Sequence, residues 1–332
     1  MQHWWLDAHL DLAYLHLLGP AITAPVADRA ARGVCLPALR AGNVRVALGT
    51  IFTELGAPTD QPWGYPSSQD REAAHAAGTR QLRVYQDLEA AGQIRIVRTQ
   101  ADLRACAEGG PMGLVLLMEG ADPIRTPDEA AWWHAQGLRV VGLCWARGSR
   151  YAGGNSDGGP LTAEGRALVQ ALDAAGVLHD ASHLSDAAFD GVMAATDRRV
   201  VASHSNARAL MNPNQRHVTD AQISALAARG GVIGLNLFGK FLAEGRPATL
   251  DDAVRHVQHV AGLVGRHAVG LGSDFDGGFG PGDCPLGCQR PEELGALDQA
   301  LDAAGWSSAE RQGFAHGNWM RVLMEALPVR VA

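Results

Sequence analysis

This chain lacks any apolar run long enough to cross a bilayer, for which about 20 residues in succession are needed. It also lacks the basic and apolar segments of a secretory leader, opening instead with Met1-Gln2-His3-Trp4. Positive charge is short: 28 Lys and Arg stand against 35 Asp and Glu, a net charge of -7. A surface for nucleic acid or for an anionic membrane is therefore not expected. Cysteine is scarce and odd in number, the five lying at Cys35, Cys106, Cys144, Cys284 and Cys288. Such a scattered set is expected to stay as free thiols, and a reducing cytoplasm is the expected compartment. Cys284 and Cys288 could pair or bind a metal, but their Gly/Pro-rich surroundings read as a surface loop with idle thiols.

What is present is ordinary globular composition, 47% hydrophobic and 19% charged over 332 residues. That suffices for one large α/β domain spanning 1–332. After the opening strand, seven more apolar runs read as strands: 44–52, 112–118, 138–143, 177–183, 199–205, 232–238 and 268–274. Helices are expected over 70–92, 127–136, 162–175, 185–195, 219–228, 250–264, 291–304 and 307–326. The stretch from the first strand to about Gly33 reads as irregular, 54–68 as a loop able to serve as a lid, and 151–160 as a Gly-rich loop. Most strand runs do not alternate polar with apolar, as expected of a parallel sheet covered on both faces. A doubly wound open sheet usually places a Gly-rich phosphate turn after its first strand. Here Leu12-Ala13-Tyr14-Leu15-His16 follows. The expected architecture is a (β/α)8 TIM-like barrel with its site at the C-terminal ends of the strands.

The opening strand, Leu6-Asp7-Ala8-His9-Leu10-Asp11-Leu12, carries the first chemistry. Alternate side chains of a strand share a face, which would align Asp7, His9 and Asp11. An imidazole converging with a carboxylate makes half of a divalent-metal site. Taken alone, the triplet reads equally well as a polar strand end with a capping Asp and a solvated His. The later strand ends shift the balance, because they supply Glu119, His183, His204 and Asp274. Two imidazoles, a His-Asp pair and a further carboxylate are ligands for two divalent ions about 3.5–4 Å apart. Asp274, left without a metal of its own, is the natural proton acceptor from a water between them.

Longer stretches carry a resemblance. They include Asp7-Ala8-His9-Leu10-Asp11, Met118-Glu119-Gly120, Gly176 to Ser185, Ser203 to Arg208 and Arg216-His217-Val218-Thr219-Asp220. Gly230 to Gly234, Gly272 to Gly277 and Gly317-Asn318 complete the set. In order and spacing, over nearly the whole chain, they resemble the membrane (renal, or microsomal) dipeptidase family of binuclear zinc peptidases, with an amidohydrolase-like barrel. The resemblance implies a zinc-dependent dipeptidase acting on small dipeptides through a hydroxide shared by two zinc ions per chain. It implies that His9 and Asp11 bind one zinc, Glu119 bridges, and His183 and His204 bind the second. Asp274 would sit beside the hydroxide and Arg216 would hold the substrate carboxylate, a task its planar fork suits. A homodimer is compatible with this reading.

Two departures stand out. Strand four ends at Trp145, where the family usually has a His that polarises the scissile carbonyl or stabilises the oxyanion. Trp offers one neutral N–H, and loss of an oxyanion donor costs about 10²–10³ in turnover. Strand seven ends at Phe238, where the animal enzymes have a Tyr. Trp145 and Phe238 are therefore expected to shape an atypical substrate pocket. His179 is expected to point with His183, as a supporting residue or as a replacement donor. The alternatives are a metal-dependent amidohydrolase acting on another amide or a lactone, and a catalytically weak metal-binding paralogue. Asp274 and Arg216 speak against the last, since structural metal needs neither.

Overall fold

The computed structural model describes residues 3–19, 22–58 and 60–329. Eight parallel strands alternate with helices: β1 (Trp5–Leu10), β2 (Val44–Phe52), β3 (Gly113–Glu119), β4 (Leu138–Gly142), β5 (Leu178–Asp180), β6 (Val200–Val201), β7 (Ile233–Leu235) and β8 (Val269–Leu271). β1 to β6 pair in sequence order, and β7 pairs with β8. A bridge from Ala202 to Ile233 joins the two groups. Between β8 and β1 the Asp274 N–H donates to His9 O at 3.2 Å. The sheet thus closes into a (β/α)8 barrel.

Burial on both faces explains why these runs are continuously apolar. In β2 every residue but Arg45 is buried. Seven residues of β2 run in step with β3, setting Phe52 opposite Glu119 at the C-terminal rim. Leu48, Val115 and Leu117 lie on the Glu119 face of this pairing. With Leu6, Val140, Leu178, Val201 and Val232 they form one cluster, the barrel interior, against which Trp319 and Val322 pack. A second, larger cluster lies between the strands and the outer helices. Close approach around β6 requires glycine: a Cβ on Gly234 or Gly272 would lie 1.8 or 1.9 Å from Ser203 O.

The expected helices are found, with Thr162, Ser185 and Thr219 hydroxyls capping three N-termini, and a helix that was not expected, Gln100–Ala107, is capped by Thr99. The last expected helix is broken by a π-turn over Gly313–Gly317. Several readings need correction. The stretch after β1 is irregular only in its second half: helix α1 (Leu12–Leu18) occupies its start, and helix α2 (Leu36–Ala41) follows its end. The loop over 54–68 holds a short parallel pair, Glu54–Leu55 with Gly64–Tyr65, and Tyr65 Oη donates to Asp122 Oδ2 at 2.8 Å. The Gly-rich loop near 151–160 contains an antiparallel pair, Ala152–Gly154 with Gly158–Leu161. Cys284 and Cys288 are free and buried, turned inward from a surface loop whose Gly282, Asp283, Leu286 and Gly287 are exposed.

Candidate active site

The C-terminal rim opens into a cavity of about 690 Å³. Glu119, the last residue of β3, faces imidazoles on two sides. Its Oε2 lies 3.6 Å from His9 Nε2, and its Oε1 lies 3.1 Å from His183 Nε2 and 3.3 Å from His204 Nε2. His9 Nε2 is also 3.7 Å from Asp11 Oδ1 and 3.9 Å from Asp274 Oδ1. Two sets, His9–Glu119–His204 and His9–Asp11–Asp274, each bring three donor atoms within 4.8 Å of one another.

The outer ring nitrogens aim the imidazoles. His183 Nδ1 lies 3.0 Å from Asn155 Oδ1, and His204 Nδ1 lies 2.7 Å from Ser203 Oγ. Ser203 Oγ donates to Asp180 Oδ2, so its lone pair is left to accept from His204. Both Nδ1 atoms then carry the proton and both Nε2 atoms a lone pair. Yet the two Nε2 atoms are only 3.0 Å apart. Two lone pairs cannot bond each other, and buried Glu119 Oε1 has no hydrogen-bond partner among the described residues either. A cation held among the three satisfies all of them, and this mix of imidazole and carboxylate suits zinc. Thr50 Oγ1 donates to Asp11 Oδ1 and fixes that carboxylate. His183 and Asp274 have φ of 67° and 59°, a left-handed conformation that residues with a Cβ rarely hold.

The electrostatics agree with a cation site. Burial pushes His183 and His204 well below the usual imidazole range, which keeps their lone pairs free. Burial pushes Glu119 well up, and His9 pulls it back only in part. Burial acts against a charge on His9, but Glu119 and Asp11 outweigh it and hold the ring well above its ordinary value. Asp274 is pushed up to about 6 by burial. Several carboxylates crowded out of water need positive charge among them.

The remaining walls bear on substrate. Arg216 is buried; its Nη2 donates to His204 O at 2.8 Å and its Nη1 to Ser205 Oγ at 3.2 Å. Its Nε has no hydrogen-bond partner among the described residues. Asn236 Nδ2 donates to Asp274 Oδ2 at 2.8 Å. Trp145 stands edge-to-face on Phe52, with centroids 5.2 Å apart. Phe238 stacks on Phe279 at 4.4 Å.

A family model described as "Membrane dipeptidase (Peptidase family M19)" matches residues 1–330. The chain belongs to the membrane dipeptidase family. A solved dipeptidase described as "dipeptidase AC, Metallo peptidase" is 28% identical, covers 99% of this chain and 100% of its own, and superposes with a TM-score of 0.87. A metallo peptidase from Rhodobacter sphaeroides, liganded with a phosphinate mimic of the dipeptide L-Ala-D-Ala, is also 28% identical. It covers 97% of this chain and 99% of its own, with a TM-score of 0.83. An uncharacterized Klebsiella pneumoniae protein, in the pqqA 5' region, is 32% identical over 74% of this chain and 94% of its own length. Human dipeptidase 3 is 29% identical over 51% of this chain and 34% of its own length. This dipeptidase is thus a metal-dependent hydrolase. Among its described residues no helix is long and apolar enough to cross a membrane.

Of the residues singled out from the sequence, His9, Asp11, Glu119, Trp145, His183, His204, Arg216, Phe238 and Asp274 line this one cavity. Two others do not. Register shifts in β1 between Asp7 and Leu10 break the alternation, and Asp7 turns away to accept from Ser273 N–H at 2.8 Å. His179 does not point with His183: its Nε2 meets Asp173 Oδ1 of the helix Ala163–Ala175 at 2.7 Å. It therefore supplies no replacement donor. Sequence reasoning passed over Asn155, Asn236 and the Ser203–Asp180 pair, which aim the site residues. An Asn at a strand end or in a glycine-rich turn looks like ordinary turn chemistry, so no signal marked them.

Proposed function

We propose that this chain is a two-zinc dipeptidase that cleaves small dipeptides bearing a free carboxylate. The observation that carries the reading is Glu119, whose two oxygens face His9 on one side and His183 with His204 on the other. His9 and Asp11 would hold one ion, His183 and His204 the second, and Glu119 would span both. Bound there, the metal pair would supply an activated water at neutral pH and polarise the peptide carbonyl.

The chain's own residues do the rest. Arg216 offers its open Nε and remaining N–H groups to the substrate carboxylate, and its contacts with His204 O and Ser205 Oγ keep the fork from swinging. Asp274 is the proton carrier: Asn236 ties down Oδ2, which leaves Oδ1 toward His9 and the cavity to take a proton and pass it to the leaving amine. Trp145 and Phe52 keep water from the wall opposite Arg216. No cationic donor stands at Trp145, so carbonyl polarisation falls more heavily on the metals than in relatives with a His there. The buried free thiols support placement in the reducing cytoplasm.

The test combines metal analysis with hydrolysis of L,L- and L,D-dipeptides under added zinc. Turnover of free dipeptides but not of their C-terminal amides is expected. Turnover of amides or lactones alone would favour the alternative amidohydrolase reading.

A further inference from the structure

We infer that the wall built from Tyr14, Phe52 and Trp145 is a subsite for an aromatic side chain on the N-terminal residue of the substrate, and that Glu54 turns acidic side chains away from it. The inference rests on the dipeptidase reading above. Arg216 lies after β6 and Phe238 after β7, with Arg216 Cζ 5.1 Å from the Phe241 centroid. A carboxylate held by Arg216 puts the C-terminal residue on that side of the barrel. The peptide bond then lies over Glu119 and its imidazoles, and the N-terminal residue reaches the opposite rim. There β1, β2 and β4 deliver Tyr14, Phe52 and Trp145.

These rings form a fixed wall. Tyr14 meets Phe52 edge-to-face at 5.6 Å and 87°, and Phe52 meets Trp145 at 5.2 Å and 73°. Trp63 backs Tyr14 at 4.6 Å and is itself buried. The backbone that carries Trp63 is pinned, since Glu54 N–H donates to Trp63 O at 3.1 Å and Gly56 N–H to Tyr65 O at 2.8 Å. Tyr14 and Trp145 are half-buried in the protein alone, so an incoming ring would complete their cover. Edge-to-face packing adds to simple burial, and a wall already held in place spares the ordering cost on binding. A cavity of about 690 Å³ has room for it. The Glu54 carboxylate lines the same side and has no ion-pair partner among the described residues. A second carboxylate there meets repulsion in a part-dry site.

The test measures kcat/KM for Phe-Ala, Ala-Ala, Glu-Ala and Ala-Phe, in the stereochemical series that the protein accepts. Phe-Ala should exceed Ala-Ala by about 10- to 100-fold, Ala-Phe should not share that gain, and Glu-Ala should fall below Ala-Ala. Calorimetric affinities of the matching phosphinate mimics should follow the same order, a readout independent of turnover. Trp145→Ala should bring the Phe-Ala to Ala-Ala ratio toward one, and Trp145→Phe should restore most of it. Equal values for Phe-Ala and Ala-Ala, in both turnover and binding, overturn the subsite and leave the dipeptidase reading standing. Failure of a metal-replete protein to cleave any of the four overturns both.

Discussion

Asn236 holds Asp274 through a single bond, its Nδ2 donating to Asp274 Oδ2 at 2.8 Å while its own Oδ1 accepts from Phe238 N–H at 2.7 Å. The amide is thus oriented from behind, and one carboxylate oxygen is left free of Asn236 for the proposed proton transfer. Asp274→Asn should lower kcat by about 10²–10⁴ with metal retained. Asn236→Ala should lower kcat less, by roughly tenfold, because the carboxylate survives but loses its orientation. Metal content and kcat measured on the same preparations check both; near-normal turnover in metal-loaded Asp274→Asn would move the proton step elsewhere.

Metal binding should be shared through Glu119. We expect up to two zinc ions per chain by elemental analysis of metal-replete protein. Glu119→Ala should weaken both sites together, whereas His183→Ala should spare much of the His9 site. Chelation should also lower the melting temperature, since ligands that bind only the folded state stabilise it. An absence of tightly held divalent metal would defeat the reading.

Arg216→Lys should raise KM for dipeptides strongly with a smaller change in kcat, because an ammonium cannot reproduce the planar fork. The wild-type protein should likewise discriminate against a dipeptide amide. Equal rates on acid and amide would remove Arg216 from carboxylate binding.

Acid stability should depend on His256. Burial pushes its ring down to about 4, and its Nδ1 accepts from Ala207 N–H at 3.2 Å. The unfolded chain takes up this proton below about pH 6.5, the folded chain only below about 4. Stability is therefore full above pH 6.5 and falls as pH drops through that window, by at most about 3 kcal/mol. His256→Gln should be less stable at pH 7.5 yet show a flatter decline between pH 6.5 and 4 in denaturant titrations.

The strands were legible because parallel pairing buries both faces: Val44–Phe52 could be read end to end from its apolar run. What period-two reasoning could not show is where a strand stops. β5 ends at Asp180, after which the chain turns and holds His183 at a φ of 67°, so counting from His183 back to His179 gave the wrong face. The same holds for Asp7, where a register shift in β1 is silent in the sequence. Helix Leu12–Leu18 was missed because its residues are almost all apolar and show no polar stripe. The cavity residues were legible as strand-end chemistry; their orienting amides, which look like turn residues, were not.

The seam between β8 and β1 has a consequence for assembly. It is fastened by Asp274 N–H on His9 O and by Ser273 on Asp7, residues 266 positions apart in the chain. His9 and Asp274, both facing the proposed metals, flank that fastening. The seam therefore both closes the hoop and sets Asp274 beside His9 in the proposed centre. A chain that ends before Ser273 carries every imidazole of the proposed centre yet lacks Asp274 and both seam hydrogen bonds. The proposed centre is complete only where the final fifth of the polypeptide meets the first dozen residues.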